Sequence, residues 1–245
     1  MTLTYILLFT LLASVGSVAV ASLFLVIPGK TRTVLVPCFV SYAIGTLLGA
    51  AFLGLIPQAL TRLSVHDVGL TILSGILLFF VLEKLLLWRH CHDGACEQHA
   101  TSGPLILIGD ALHNFVDGVV LAAAMVSSIP LGIATAIAII AHEIPQETGD
   151  FAILLESGYR RSSALLYNIL SSLGMFAGAL IGYFFLSATT GILPYVMALS
   201  ASSFIYVAVA DLVPALHRRT ALRSGVLQLL LIVGGIATIV LLHQS

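Results

Sequence analysis

The sequence predicts an all-α fold, a polytopic membrane protein built as a bundle of eight transmembrane helices. Of its 245 residues, 59% are hydrophobic and only 9% are charged, and the mean hydropathy is +1.11. A soluble domain carries roughly 25% charged residues. Largely apolar stretches of about 20 residues, the length that crosses a bilayer, recur eight times. Little sequence lies between them, so we expect residues 1–245 to form a single transmembrane domain.

The predicted spans follow one another closely. In order, they cover roughly 3–27, 33–60, 69–87, 104–127, 131–157, 162–186, 192–216 and 224–242. The first lacks the positively charged start of a signal peptide, although residues 19–21 have the small side chains of a cleavage site, and we interpret it as a span. The one long polar connection covers residues 88–103.

Basic residues are distributed unevenly between the two ends of these spans. Only Arg62 falls at one end. The other nine are Lys30, Arg32, Lys84, Arg89, Arg160, Arg161, Arg218, Arg219 and Arg223. By the positive-inside rule the nine-residue end is cytoplasmic, which makes both termini extracytoplasmic. We expect a multi-pass protein of the plasma or inner membrane.

The fourth and fifth spans contain acids without basic partners. No Lys or Arg occurs between Arg89 and Arg160, yet five of the eleven acids lie inside the spans of this interval, not counting Glu156 at the end of the fifth span. They are Asp110, Asp117, Glu143, Glu147 and Asp150. Ionisable groups at membrane depth are costly and mark functional sites. One such acid can stay protonated and hydrogen-bond to a neighbouring helix, whereas five beside two histidines predict a site for a cation.

The spacing of these residues gives each helix one polar stripe, because residues three or four apart share a helix face. The fourth span presents Asp110, His113, Asn114 and Asp117. The fifth presents His142, Glu143, Gln146, Glu147 and Asp150. A short turn at residues 127–130 makes the two helices antiparallel neighbours. Imidazole nitrogens with carboxylate and amide oxygens suit zinc, iron, manganese, cobalt or nickel better than calcium or magnesium. The stripes therefore predict a site for one or two divalent transition-metal ions.

The polar connection, expected on the cytoplasmic side, holds further potential ligands. They are His90, Cys91, His92, Cys96 and His99. Such a tract predicts an auxiliary metal-binding loop. The alternative is a solvated linker whose metal affinity has no consequence. The spacing does not match a closed zinc finger.

These motifs resemble the ZIP family of divalent-metal transporters, in the branch whose fifth helix carries an HEXPHE signature. Residues 113–118 read HNFVDG and fit that family's HNFxDG pattern, and residues 142–147 read HEIPQE and differ from the signature only at Gln146. The resemblance extends over the whole chain and implies eight spans, extracytoplasmic termini and a metal-binding loop between helices 3 and 4.

The resemblance also implies a binuclear site midway across the membrane. Its first metal would bind His113, Asp117, His142 and Gln146. Its second would bind Asn114, Asp117, Glu143 and Gln146. Glu147 and Asp110 would line the path or relay protons.

Three departures from the family pattern bear on this site. Gln146 supplies a neutral amide, a weaker zinc ligand than imidazole or carboxylate. Ala50, Gly54 and Gln58 replace the acid, histidine and glutamate of a helix 2 pattern that often reads DAFLHLIPEA. Met175 stands where some relatives have a glutamate. We expect Gln146 to influence metal preference.

We therefore predict transport of a divalent transition-metal ion into the cytoplasm, zinc first, with iron and manganese as alternatives. The metal would be the transported substrate, no catalytic cofactor is expected, and the protein would not be an enzyme or bind nucleic acid. The rivals are an intramembrane zinc metalloprotease, since His142 and Glu143 begin an H-E-x-x-H-like string, and a metal-sensing membrane protein. Gly174, Gly178 and Gly182 form a small-residue face that predicts either intramolecular packing or a homodimer seam.

Overall fold

A computed structural model of the chain describes residues 1–24, 26–88, 102–189, 191–217 and 222–244. Within this part, eight helices are long and apolar enough to cross a membrane, which confirms the predicted number. The fifth candidate span, for example, covers Ile129–Leu155 where the sequence predicted roughly 131–157. The fold is that of an integral, multi-pass helical membrane protein.

The eight helices are numbered α1 to α8 in chain order. They are α1 (Thr2–Leu11 and Ser17–Phe24 around a π-helical turn Leu12–Gly16), α2 (Gly29–Gly49, π-helical turn Ala50–Leu55, Ile56–Leu60), α3 (Val65–Trp88), α4 (Ser102–Ser127), α5 (Ile129–Glu156), α6 (Arg161–Ser172 and Gly174–Ala188), α7 (Leu193–Tyr206, π-helical turn Val207–Leu212, Val213–His217) and α8 (Leu222–Gln244).

The π-helical turns of α2 and α7 each lie just before a proline. Pro57 follows the turn Ala50–Leu55, and Pro214 follows Val207–Leu212. Proline lacks an N–H and clashes with the carbonyl four residues earlier, so the preceding turn must widen or bend. In α5 the helix continues through Pro145 from Ile129 to Glu156.

The helices form two groups of four. In one group α4 packs against α5 and α6, and α1 packs against all three. In the other, α8 packs along α2, and α3 packs along α7, which also contacts α2. The groups meet chiefly where α5 contacts α2 and where α4 contacts α7. Helices α2 and α5 are consequently central: 67% and 61% of their apolar stretches are buried, against 11% for α3 and for α8.

Glycines permit close helix contacts within each group. A Cβ on Gly178 of α6 would lie 1.9 Å from the carbonyl oxygen of Phe115 in α4, and one on Gly118 of α4 would lie 2.1 Å from that of Met175. In the other group, a Cβ on Gly45 would lie 2.1 Å from the carbonyl oxygen of Ile232. The small-residue face of α6 thus packs within the chain, the first of the two alternatives predicted for it.

Candidate metal centre

The predicted polar stripes face each other because α4 and α5 form a tight antiparallel hairpin. Helix α4 ends at Ser127 and α5 begins at Ile129. The Ser128 side chain caps α5 by accepting a hydrogen bond from the N–H of Leu131 at 3.4 Å, which satisfies one of the free N–H groups of its first turn. His113 and His142 lie near the midpoints of their helices, with about 20 Å of helix on either side at 1.5 Å per residue.

Four side chains converge at this level. The Nε2 atoms of His113 and His142 are 3.2 Å apart. Asp117 Oδ2 lies 2.9 Å from His142 Nε2 and 3.7 Å from His113 Nε2. Glu143 Oε1 lies 3.6 Å from His113 Nε2 and 3.7 Å from His142 Nε2. Two nitrogens and two oxygens are therefore gathered in one small volume.

A backbone contact sets the tautomer of His142. Its Nδ1 lies 2.9 Å from the carbonyl oxygen of Ala138. A carbonyl only accepts hydrogen bonds, so Nδ1 carries a proton and Nε2 is the ring nitrogen that faces the cluster. Histidines that bind metals commonly donate their other N–H to a carbonyl in this way, which fixes the ring orientation.

The distances between these donor atoms match those expected around a tetrahedrally coordinated metal ion. Donor atoms held at about 2.0–2.1 Å from a tetrahedral zinc ion are about 3.3 Å apart. The five distances given above range from 2.9 to 3.7 Å around that value. The buried carboxylates of Asp117 and Glu143 lie within 4.8 Å of each other, an arrangement that is costly without a cation.

A second group of carboxylates continues from the first toward the start of α4. The carboxylate oxygens of Asp110, Glu143 and Glu147 lie within 4.8 Å of one another. Glu143 belongs to both groups. Both oxygens of Glu147 and Asp110 Oδ2 are buried without a hydrogen-bond partner, as is Oδ2 of Asp150 one turn further along α5. The second group is thus an oxygen-only donor set.

Two amides hold Asp110 in place. Asn114 Nδ2 donates to Asp110 Oδ1 at 3.0 Å, and Gln146 Nε2 donates to the same oxygen at 3.2 Å. The other oxygen, Oδ2, is left for the second carboxylate group. Gln146 accordingly lies between the two helices, with its amide directed at Asp110.

Burial isolates both groups from solvent. Asp117, Glu143, Glu147 and Asn114 are 0% exposed, and 20% of the His113 side chain is exposed. Among the side chains that the structure describes, no Lys or Arg forms an ion pair with these acids; each recorded ion-pair contact joins His113 or His142 to Asp117 or Glu143. An unpaired polar group at membrane depth costs several kcal/mol, which an incoming cation would offset.

The structure therefore brings the residues of both predicted stripes together. The predicted loop ligands His90, Cys91, His92, Cys96 and His99 lie outside the described residues. Sequence reasoning did not single out Phe204 of α7, whose ring packs edge-on against His142 with centroids 6.1 Å apart. Its apolar side chain carries no chemical signal in the sequence.

Comparison with known proteins gives the family. The family model described as ZIP Zinc transporter matches residues 88–243, more than half of the chain. The chain belongs to the ZIP zinc transporter family. Zinc transporter ZIP10 of Danio rerio is 37% identical over 131 residues, which are 51% of this chain and 16% of that protein. Zinc transporter ZIP6 of Homo sapiens is 37% identical over 126 residues, 51% of this chain and 17% of that protein.

A longer match covers most of the chain. Zinc transporter ZIP13 of Pongo abelii is 33% identical over 218 residues, which are 82% of this chain and 65% of that protein. The matches to ZIP10 and ZIP6 span about a sixth of those proteins.

Proposed function

We propose that this protein transports a divalent transition-metal ion across the membrane into the cytoplasm, with zinc as the first candidate and iron and manganese as alternatives. The observation that carries the proposal is the convergence of His113, Asp117, His142 and Glu143 at the middle of the membrane-spanning helices. Membership of the ZIP zinc transporter family supports it independently.

The donor chemistry favours a transition metal. Two imidazole nitrogens and two carboxylate oxygens make a mixed set suited to zinc and its neighbours, whereas calcium and magnesium prefer oxygen alone. Asp110, Glu143 and Glu147 would form a second, oxygen-only position along the same helices. An ion passing between the positions would stay in contact with Glu143, which both share.

We assign Gln146 and Asn114 a positioning role in this scheme. Both amides donate to Asp110 Oδ1, which leaves Oδ2 free for the ion. The resemblance to the family assigns Gln146 to both metal sites, and that ligand role remains a prediction.

The orientation of the protein in the membrane follows from the distribution of its basic residues. Nine Lys and Arg residues fall at one end of the spans and Arg62 at the other, so the nine-residue end is cytoplasmic by the positive-inside rule. Transport would expose the site alternately to the two sides. In this scheme α1, α4, α5 and α6 would move against α2, α3, α7 and α8, a division supported by the contacts within each group.

The geometry argues against the intramembrane protease. A catalytic zinc site leaves one position open for water, whereas four protein donors surround the position between His113 and His142. The residue four positions after His142, where that motif requires a second histidine, is Gln146.

Metal uptake into vesicles reconstituted with the purified protein tests the proposal. We expect uptake of zinc, iron or manganese by the parent protein and background uptake by His113→Ala. His66→Ala is the matched control, since His66 is an exposed histidine at the start of α3, and it should transport at the parent rate. Undiminished flux of all three metals in His113→Ala would refute the proposed site.

A further inference from the structure

The end of the bundle that carries Arg62 contains a cavity that the metal centre does not use. It has a volume of about 160 Å³ and lies between the last turns of α2 and α4 and the first turn of α7. Gln58, Thr61 and Arg62 line it from α2, Ser127 from α4, and Met197 from α7. It therefore lies where the two helix groups meet, at the extracytoplasmic end in the proposed orientation.

The chemistry of this cavity differs from that of the metal centre. No carboxylate is among its described lining residues. Its polar lining residues are Gln58, Thr61, Arg62 and Ser127. The Thr61 hydroxyl already donates to the Gln58 carbonyl oxygen at 2.7 Å, so the donors left for a ligand are those of Arg62, Gln58 and Ser127. Together with the positive charge of Arg62, they suit an anion better than a free dication.

Arg62 takes part in no ion pair among the described side chains, since those recorded all involve His113 or His142. Its nearest acid in the sequence, Asp67, accepts a hydrogen bond from the Ser64 hydroxyl at 2.7 Å. A guanidinium presents several N–H donors in a planar fork that matches the oxygens of carboxylate-like and phosphate-like ions.

We propose that this cavity, the Arg62 vestibule, binds a small oxyanion. A cavity needs roughly 10–15 Å³ in the same measure to hold one water molecule, so the vestibule's volume of about 160 Å³ accommodates a tetrahedral or planar oxyanion with some of its hydration shell. The bound ion neutralises Arg62 and offers oxygen atoms to a metal ion approaching the cavity. Oxyanion binding at Arg62 does not depend on the proposed transport function, whereas its effect on metal entry does.

Two sources carry the same chemistry: a free inorganic oxyanion and the phosphate of a lipid headgroup. The first measurement is calorimetric titration of the metal-free, detergent-solubilised full chain with inorganic phosphate, at ionic strength held constant with chloride. The second is the same titration with a short-chain phosphatidylglycerol. Binding heat that depends on Arg62 in the phosphate titration identifies a free ion as the ligand. Binding heat that depends on Arg62 only in the phosphatidylglycerol titration identifies a lipid headgroup. Either result supports the proposal.

The variant is Arg62→Gln, and the matched control is Arg160→Gln, an exposed arginine at the other end of the bundle. We expect Arg62→Gln to weaken oxyanion binding at least tenfold and Arg160→Gln to leave it unchanged. Thermal unfolding of both variants in detergent checks that they are folded. Equal binding by the parent and a folded Arg62→Gln, or no binding to the parent in either titration, would overturn the proposal. Because no transition metal is present, these results do not depend on whether the chain transports one.

Discussion

Substitutions of Gln146 distinguish two roles for this residue in the metal centre: orienting Asp110, or binding the metal ion itself. Gln146→Met keeps a side chain of similar length but removes the N–H that donates to Asp110 Oδ1 at 3.2 Å. Asp110 would then keep the hydrogen bond of 3.0 Å from Asn114. We expect the carboxylate to become less well oriented toward Glu143 and Glu147, and zinc binding to weaken.

The size of the effect follows from the lost hydrogen bond. A hydrogen bond to a charged group contributes about 1.5–3 kcal/mol, which corresponds to about 10- to 150-fold in affinity. Because Asn114 still donates to the same oxygen, we expect the lower end, a loss of about tenfold. Changes to groups that orient metal ligands typically weaken metal binding by about 10- to 100-fold.

Equilibrium zinc titration of the purified protein against a fluorescent chelator measures this change. Gln228→Met is the matched control, because Gln228 lies in α8 and its side-chain nitrogen has no hydrogen-bond partner; its zinc affinity should equal that of the parent. Gln146→Glu at pH 8 distinguishes the roles further. If Gln146 positions Asp110, a carboxylate in its place would repel Asp110 and weaken zinc binding. If Gln146 is itself a metal ligand, glutamate in its place would bind zinc more tightly. Tighter zinc binding by Gln146→Glu would refute the positioning role.

Three further predictions concern the site and its support. Asp117→Asn should reduce metal uptake by vesicles to background, because Asp117 contacts both imidazoles; uptake near the parent rate would contradict the proposed ligand set. Gln146→His restores the signature residue of the family branch, so relative uptake of zinc, iron and manganese should change, and an unchanged metal profile would count against a role in selectivity. Gly178→Val should lower the unfolding temperature in detergent by about 5–10 °C, since overpacking costs about 1–3 kcal/mol and its Cβ would meet the Phe115 carbonyl at 1.9 Å. Gly234→Val, which has open space around it, is its control, and equal unfolding temperatures would show that the α4 to α6 contact tolerates side chains.

The number of spans was predictable because a single physical requirement sets it. Each helix must carry about 20 apolar residues to cross a bilayer, and the breaks at residues 127–130 and 157–160 are short and polar or proline-containing. The π-helical turns in α1, α2 and α7 were not predicted. Pro57 and Pro214 indicate a disturbance in α2 and α7, but whether a helix widens, kinks or ends at a proline depends on the helices packed around it.

The two polar stripes were predictable from spacing, but the grouping within them was not. Spacing of four residues pairs His142 with Gln146 on α5. In the structure Glu143, the neighbour of His142 in sequence, approaches both imidazoles, while the Gln146 amide lies against Asp110. Helical periodicity gives the face of a residue but not the rotation of α5 relative to α4, which is set by packing between helices such as that of Phe204 against His142.

Zinc flux through Glu143→Gln is the most direct measure of the central claim, because Glu143 is the residue that the two carboxylate-containing groups share. The substitution keeps the shape of the side chain and removes its charge. Asp67→Asn makes the same chemical change at the start of α3, outside both groups. We expect background zinc uptake into vesicles for Glu143→Gln and the parent rate for Asp67→Asn. Zinc uptake by folded Glu143→Gln at the parent rate would contradict the central claim.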